Sequence, residues 1–412
     1  MKKVLLTGAI LSLWTLQAQA ASIRLDEETF STLDLTLRIT AQRLGKARSD
    51  VKDWTDFSIR RATINMAGQA NKYVKFEFEG DFSPNTTNRG SHQAASASIN
   101  DAVITLDLAD ELKIRTGKYR VPFARANLTS SRNYVIPTGI RWGAGDGQTG
   151  YKAPSWNPFA PATLAGDRDY GMTFWGNIAD GLFQYRVGIF DGKFDHTDTA
   201  LGYKDNIAYG IRLEMNPVML GYKADKGWGK ADSYLGKMNV FNIGVAYWAQ
   251  KWDDNKGSSG TAKAYTVDAL WEQKFGDMVP NLQLGYIGQT SLPSTLGFSG
   301  TKPKTNAYYV QGQLLYDQMV GIGKPALALR YEYSEYKNFN MTDPVTKAYL
   351  GKGKVGRTSV FLNYYIKGWN AVLSAGVDIV NPNGAMKRYN SDGKTYTGKN
   401  FTDFTIAMQT IF

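Results

Sequence analysis

The chain contains no cysteine, only two histidines, and no long apolar run beyond its first twenty residues. Each absence excludes something. Without cysteine there are no disulfide staples and no thiolate metal sites, although an oxidising compartment remains open to the protein. His92 and His196 both lie in loop-like sequence, so a Ser–His–acid hydrolase would need one of them carried to a rigid wall. No EF-hand and no His/carboxylate cluster with transition-metal spacing is present, so no metal, cofactor or enzymatic activity is expected. Past the amino terminus no window approaches about 18 uninterrupted apolar residues. Mean hydropathy is −0.35, which also argues against a bundle of membrane-spanning helices.

What the chain does have is aromatic, glycine-rich and basic: 24 Tyr, 19 Phe, 10 Trp, 42 Gly and a formal charge of +11 over 412 residues. Residues 1–20 read as a secretory signal, with Lys2 and Lys3, an apolar run from Val4 to Leu16, and Ala18-Gln19-Ala20 as a small-x-small cleavage site. Cleavage there is expected, because the run is too short to span a bilayer comfortably. Export argues against nucleic acid as the target of the basic excess and leaves acidic small solutes and membrane surfaces.

Residues 21–30 are polar and acidic and read as a short periplasmic lead-in. From residue 31 to 412 apolar and polar residues alternate with period two. Leu33, Leu35, Leu37 and Ile39 oppose Asp34, Thr36, Arg38 and Thr40; Val74, Phe76 and Phe78 oppose Lys75, Glu77 and Glu79. Further on, Phe183 to Ile189 carries Arg186 on its other face, and Ile207 to Met215 carries Arg212 and Glu214. The phase slips at Arg60-Arg61, as a bulge would cause. Sixteen such segments occur, joined by alternately short and long connections. That grammar predicts an all-β, transmembrane antiparallel β-barrel of 16 strands in an outer membrane, closed on itself because lipid offers no partner to a free backbone group. One connection breaks the rule: 216–237 falls on the short side yet runs about twenty residues, and a missed strand pair there would make 18. Phe412 ends the last strand on its apolar parity, as outer-membrane assembly signals do.

Between residues 113 and 168 nine basic residues face two acidic ones, Asp146 and Asp167. The strand beginning at Leu112 leaves its pattern at Val121-Pro122, and alternation resumes only at Asp169. Loops beyond roughly 15 residues without their own structure are usually functional or disordered. This one is read as the mouth of a pore that selects anions, against the alternative of a solvated basic surface loop. Arg38, Arg60, Arg61, Arg115, Arg186 and Arg212 share the non-lipid parity, where rings of arginine favour anions and the planar fork suits phosphate. The competing role for each is neutralising a lumen carboxylate such as Glu77, Glu79, Asp101 or Glu214. The loop arginines Arg120, Arg125 and Arg132 complete the candidate anion path. GKGKVGRT at 351–358 nearly spells a phosphate-binding loop, but Arg357 replaces the lysine and the context is an external loop, so it reads as a flexible basic tip.

GKYRVPF at 117–123 and LTSSRNY at 128–134 resemble the phosphate-selective porin O and P family. Ile59-Arg60-Arg61-Ala62 and YVKFEFEGDF at 73–82 look like the same family's second and third strands. The resemblance implies a sixteen-stranded, homotrimeric porin whose third external loop folds inward, with an arginine ladder in the lumen and lysines at the narrow point. Arg38, Arg60 and Arg61 match the ladder. Lys118 is the nearest candidate for a constriction lysine. The expected function is passive diffusion of small anionic solutes, phosphate or other oxyanions, across the outer membrane, in contact with its lipid. Two other classes compete: a barrel whose long loops bind a partner or close the lumen, and a soluble secreted β-sandwich.

Overall fold

The computed structural model describes residues 21–44 except 25 and 27, and 54–83, 97–140, 168–193, 206–253, 257–293, 302–338, 352–384 and 400–412. The signal segment, both histidines and the part of the basic loop from Arg141 to Asp167 lie outside these residues. The strands are β1 (Ala21–Arg24), β2 (Phe30–Leu44), β3 (Trp54–Gln69), β4 (Val74–Asp81), β5 (Ser98–Ala109) and β6 (Leu112–Arg120). After a short helix α1 (Arg125–Leu128) come β7 (Arg168–Ile178), β8 (Phe183–Phe190), β9 (Ala208–Met215), β10 (Val240–Asp253), β11 (Ser259–Glu272) and β12 (Met278–Thr290). The last are β13 (Lys304–Tyr316), β14 (Lys324–Lys337), β15 (Gly353–Tyr365), β16 (Ala371–Gly384) and β17 (Phe401–Ile411).

From β2 to β17 every strand pairs antiparallel with its neighbours in sequence, and β17 pairs with β2, running from Phe404 opposite Arg43 to Ile411 opposite Thr36. The sheet is therefore a closed ring of sixteen strands. The alternation that predicts it is visible in exposure. On β9, Tyr209, Ile211, Leu213 and Met215 are 39–56% exposed, whereas Arg212 and Glu214 between them are 0% and 2%. That is a core turned inside out, with apolar side chains facing lipid and charges facing the middle, and pairing all round leaves no unsatisfied edge in the membrane.

Three details differ from the sequence reading or refine it. No strand pair occupies 216–237: Val218–Leu220 is a single 3-10 turn, and the rest runs without strand to β10, so the count is sixteen and not eighteen. Residues Ala21–Arg24, within the expected lead-in, pair with β2 from Leu33 to Phe30, on the same edge that β17 leaves beyond Leu35 and Phe412. GKGKVGRT is mostly strand: β15 begins at Gly353, and Arg357 faces inward, 3.6 Å from Glu332. The bulge lies at the Arg pair as the phase slip predicts, with Arg38 opposite Arg61, Ile39 opposite Ile59, and Arg60 the extra residue.

Candidate functional site: the charged lumen

Two connections supply polar groups to the inward face of the barrel wall. The first, residues 121–139, begins where Pro122, lacking an N–H, ends the ladder of β6. Arg212 donates to Phe123 O at 2.6 Å, Asn363 to Val135 O at 2.7 Å, Arg330 to Thr138 Oγ1 at 3.2 Å and Gln409 to Arg132 O at 2.9 Å. Those donors sit on β9, β15, β14 and β17. Val121, Phe123, Leu128, Val135 and Ile136 are fully buried, so apolar contact adds to these bonds.

The second connection, 216–239, is held the same way. Gln283 and Asn281 donate to Asp232 O, Gln311 donates to Asp232 Oδ2, and the Glu272 carboxylate accepts from the N–H groups of Tyr234 and Gly236. The two connections also touch each other. Lys230 N donates to Leu128 O at 3.0 Å, Asp232 N to Asn133 O at 3.2 Å, and Val135 N to Asp232 Oδ2 at 3.2 Å. Buried polar backbone that has left a ladder needs such partners, and here each connection is the other's partner.

The arginines fall into distinct settings. Arg212, fully buried, bonds Asp268 through both oxygens at 2.7 and 2.8 Å and Glu214 at 2.8 Å. Gly244 lies between those two carboxylates in register, and a methyl group there would collide with the guanidinium. Arg186 bonds Glu214 and the carbonyls of Gly227 and Trp228. Arg125 donates to Ala231 O at 2.9 Å, Tyr234 Oη and Asn242, while its own N–H reaches Asp268. Burial disfavours the Arg125 cation, but Tyr234, Glu214 and Asp225 outweigh that and hold it above the usual guanidinium range. Lys230 meets Glu214 at 3.2 Å, and burial pushes its ammonium down to about 8 despite that partner.

Elsewhere Arg115 makes a bidentate pair with Glu77 at 2.7 and 2.9 Å, Arg61 lies 3.6 Å from Glu79, and Arg132 bonds Asp34 at 2.9 Å. Arg120 donates to Thr129 O at 3.2 Å. Arg60 is exposed at its bulge. Arg38 differs from all of these. It is 4% exposed and its acceptors are neutral: Gln409 Oε1, Ser131 O at 2.6 Å and Pro137 O at 3.3 Å. Arg61 and Arg60 add like charge beside it. Lys118 is a correction. It shares the outward parity of Ile114 and Thr116, pairs between Ala102 and Tyr170, and packs its ammonium over the Tyr170 ring, so it faces away from the lumen.

Several lumen groups escaped the sequence reading. Arg330 and Arg357 share Glu332 and Asp378, and Arg168 binds Asp101 and Glu79. Their inward parity was readable from Leu329 and Tyr331 and from Gly356 and Thr358. Lys230, Asp232 and Tyr234 had a weaker signal, the anomalous length of 216–237.

A closed antiparallel barrel, apolar outside and charged within, defines a porin-type channel of the outer membrane. Residues 32–138 match the family described as "Phosphate-selective porin O and P". The match covers β2 to β6 and the start of the loop after them, and the structural neighbours share the barrel fold. An uncharacterised protein of Aquifex aeolicus (strain VF5) is 25% identical over 367 residues, covering 80% of this chain and 77% of its own. Among solved structures, an anion-selective porin from Comamonas acidovorans is 13% identical with a TM-score of 0.58, covering 93% of this chain and 100% of that one. The outer membrane channel DcaP of Acinetobacter baumannii is 12% identical with a TM-score of 0.54, covering 94% and 99%. OmpT of Vibrio cholerae in a trimer form is 12% identical with a TM-score of 0.52, covering 94% and 100%. Family and fold point to a channel and not to an enzyme.

Proposed function

We propose that the protein is a homotrimeric porin, exported with a cleaved signal peptide, for passive diffusion of small anions. The observation that carries the sign of selectivity is Arg38. A buried guanidinium whose described acceptors are all neutral, with two further arginines beside it, leaves positive potential for a passing anion to occupy. Residues 121–139, the first part of the third external loop, form the narrow part of the path, and Ser131 and Pro137 aim the Arg38 fork there. Phosphate and other oxyanions are drawn by that charge, and the attraction is electrostatic and not bidentate, because Gln409, Ser131 and Pro137 already take four of the five N–H groups of Arg38. Arg60, Arg61 and Arg132 line the approach. Arg115, Arg186 and Arg212 hold the wall through carboxylates, and Arg120 and Arg125 hold the loop. No catalytic step is assigned to any of them.

A second reading has an observation of its own. The contacts between 128–135 and 230–232 favour a lumen closed by its own connections. Reconstitution in planar bilayers separates the two. Steady conductance with a reversal potential on the anion side in a salt gradient supports the channel; a silent barrel supports closure. Phosphate added to the chloride solution then tests oxyanion preference, with block at low concentration expected for a specific site.

A further inference from the structure

The outside of the barrel is not uniform. On β10 to β15 the outward-facing residues run from an aromatic row through aliphatic residues to a second aromatic row. Phe241, Trp271, Tyr316 and Tyr364 lie near the short-turn end, and Tyr247, Tyr265, Tyr286, Tyr308, Tyr331 and Tyr333 near the long-loop end. Tyr308 stacks on Tyr333 at 5.2 Å and lies 6.2 Å from Tyr331, while Tyr265 and Tyr286 are 6.1 Å apart. Aromatic rows of this kind mark the two membrane–water boundaries of a barrel.

Just beyond the upper row, on the same outward parity, stand Lys251, Lys263, Lys304, Lys337 and Lys354. Lys304 is directly opposite Lys337 in the β13–β14 ladder, a like-charge pairing that disfavours the sheet unless an anion lies between. Glu335, which Lys337 at 2.7 Å and Lys352 occupy, and Asp253, two residues beyond Lys251, are carboxylates at this level. Among the described residues, Lys251, Lys263, Lys304 and Lys354 have no carboxylate partner. The described residues of the opposite face are less uniformly basic. The corresponding rim positions of β5 to β9 carry Ile99, Lys118, Tyr170, Asp191 and Ile207, of which Ile99, Tyr170 and Ile207 are 47–57% exposed.

We infer that the lysine belt of β10 to β15 is a docking surface for the phosphate groups of outer-leaflet glycolipid. Charge complementarity and height argue for that occupant. The belt sits two to four residues along the strands beyond the tyrosine row, where lipid phosphates lie, and each lysine near an anionic surface adds attraction. Acyl chains would then lie along the aliphatic strip below, over Val267, Leu284, Val310 and Leu329. The inference rests on the outer-membrane location, not on the anion path, because every residue in it faces outward.

The test is native mass spectrometry of the detergent-purified oligomer titrated with bisphosphorylated lipid A, dephosphorylated lipid A, or inorganic phosphate. Retention of the bisphosphorylated lipid is expected, with weaker retention of the dephosphorylated form and none of free phosphate. The triple variant Lys304→Gln/Lys337→Gln/Lys354→Gln is expected to lose on the order of a hundredfold in affinity. Its conductance should match the wild type, which shows that it folds. Equal binding of both lipids, or undiminished binding by the variant, overturns the inference. So does protection of Lys304 and Lys337 from amine labelling in the lipid-free oligomer, which would make this face a contact between copies.

Discussion

Arg38 and Arg212 are both buried arginines on the inward face of the same sheet, yet their surroundings assign them opposite work. Around Arg212 the charges close. Asp268 and Glu214 accept from it, Arg186 and Lys230 share Glu214, and the connection passing overhead contributes Phe123 O. Around Arg38 they do not, since amide and backbone oxygens accept from it and its charged neighbours are arginines. Compensated arginine holds structure, and uncompensated arginine sets potential. Parity alone cannot tell the two apart.

The largest effect that would break this contrast is on stability. Arg212→Met strands the buried Asp268 carboxylate, while Glu214 keeps Arg186 and Lys230, and should cost about 3–5 kcal/mol, read as a lowered denaturant midpoint of the folded barrel, whereas Arg38→Gln should cost much less. Equal loss in both variants would erase the distinction. Next comes selectivity. Arg38→Gln should reduce the anion-to-cation permeability ratio severalfold while leaving the gel mobility of the folded barrel unchanged. Smaller still is Arg125→Ala. Having lost Ala231, Tyr234 and Asn242 as partners, the 121–139 segment should loosen, so conductance and current noise rise with little change in ion preference.

The smallest effect is on pH dependence. Lys230 gives up its proton near pH 8 in the folded protein but near 10.5 when unfolded, so the unfolded chain binds more protons between those values and stability rises with pH there. Glu214, Asp225, Arg186 and Arg125 face the same group. Lys230→Met should flatten that rise between about pH 8 and pH 10, measured as the difference in denaturant midpoint from wild type.

The barrel was legible because lipid on one side and water on the other impose a strict two-residue period that every strand must obey. Even the bulge at Arg60 left its mark as a phase slip. The lumen was legible only as a set of inward-facing charges. Which arginine meets which carboxylate depends on cross-strand register, as when Gly244 places Glu214 and Asp268 on either side of Arg212. Segment 216–237 left an eighteen-strand alternative open because its buried bonds, to Asn281, Gln283 and Gln311, come from distant strands and leave no local period. Lys118 was misassigned for a related reason: family similarity gave the motif, while the parity of Ile114 and Thr116 gave the direction.

The central claim is that uncompensated charge at Arg38 gives the lumen its preference. Reversal potentials of wild type and Arg38→Gln, recorded across the same potassium chloride gradient, address it most directly. An anion-side potential is expected for the wild type, moving markedly toward zero in the variant. Identical potentials in the two would contradict it.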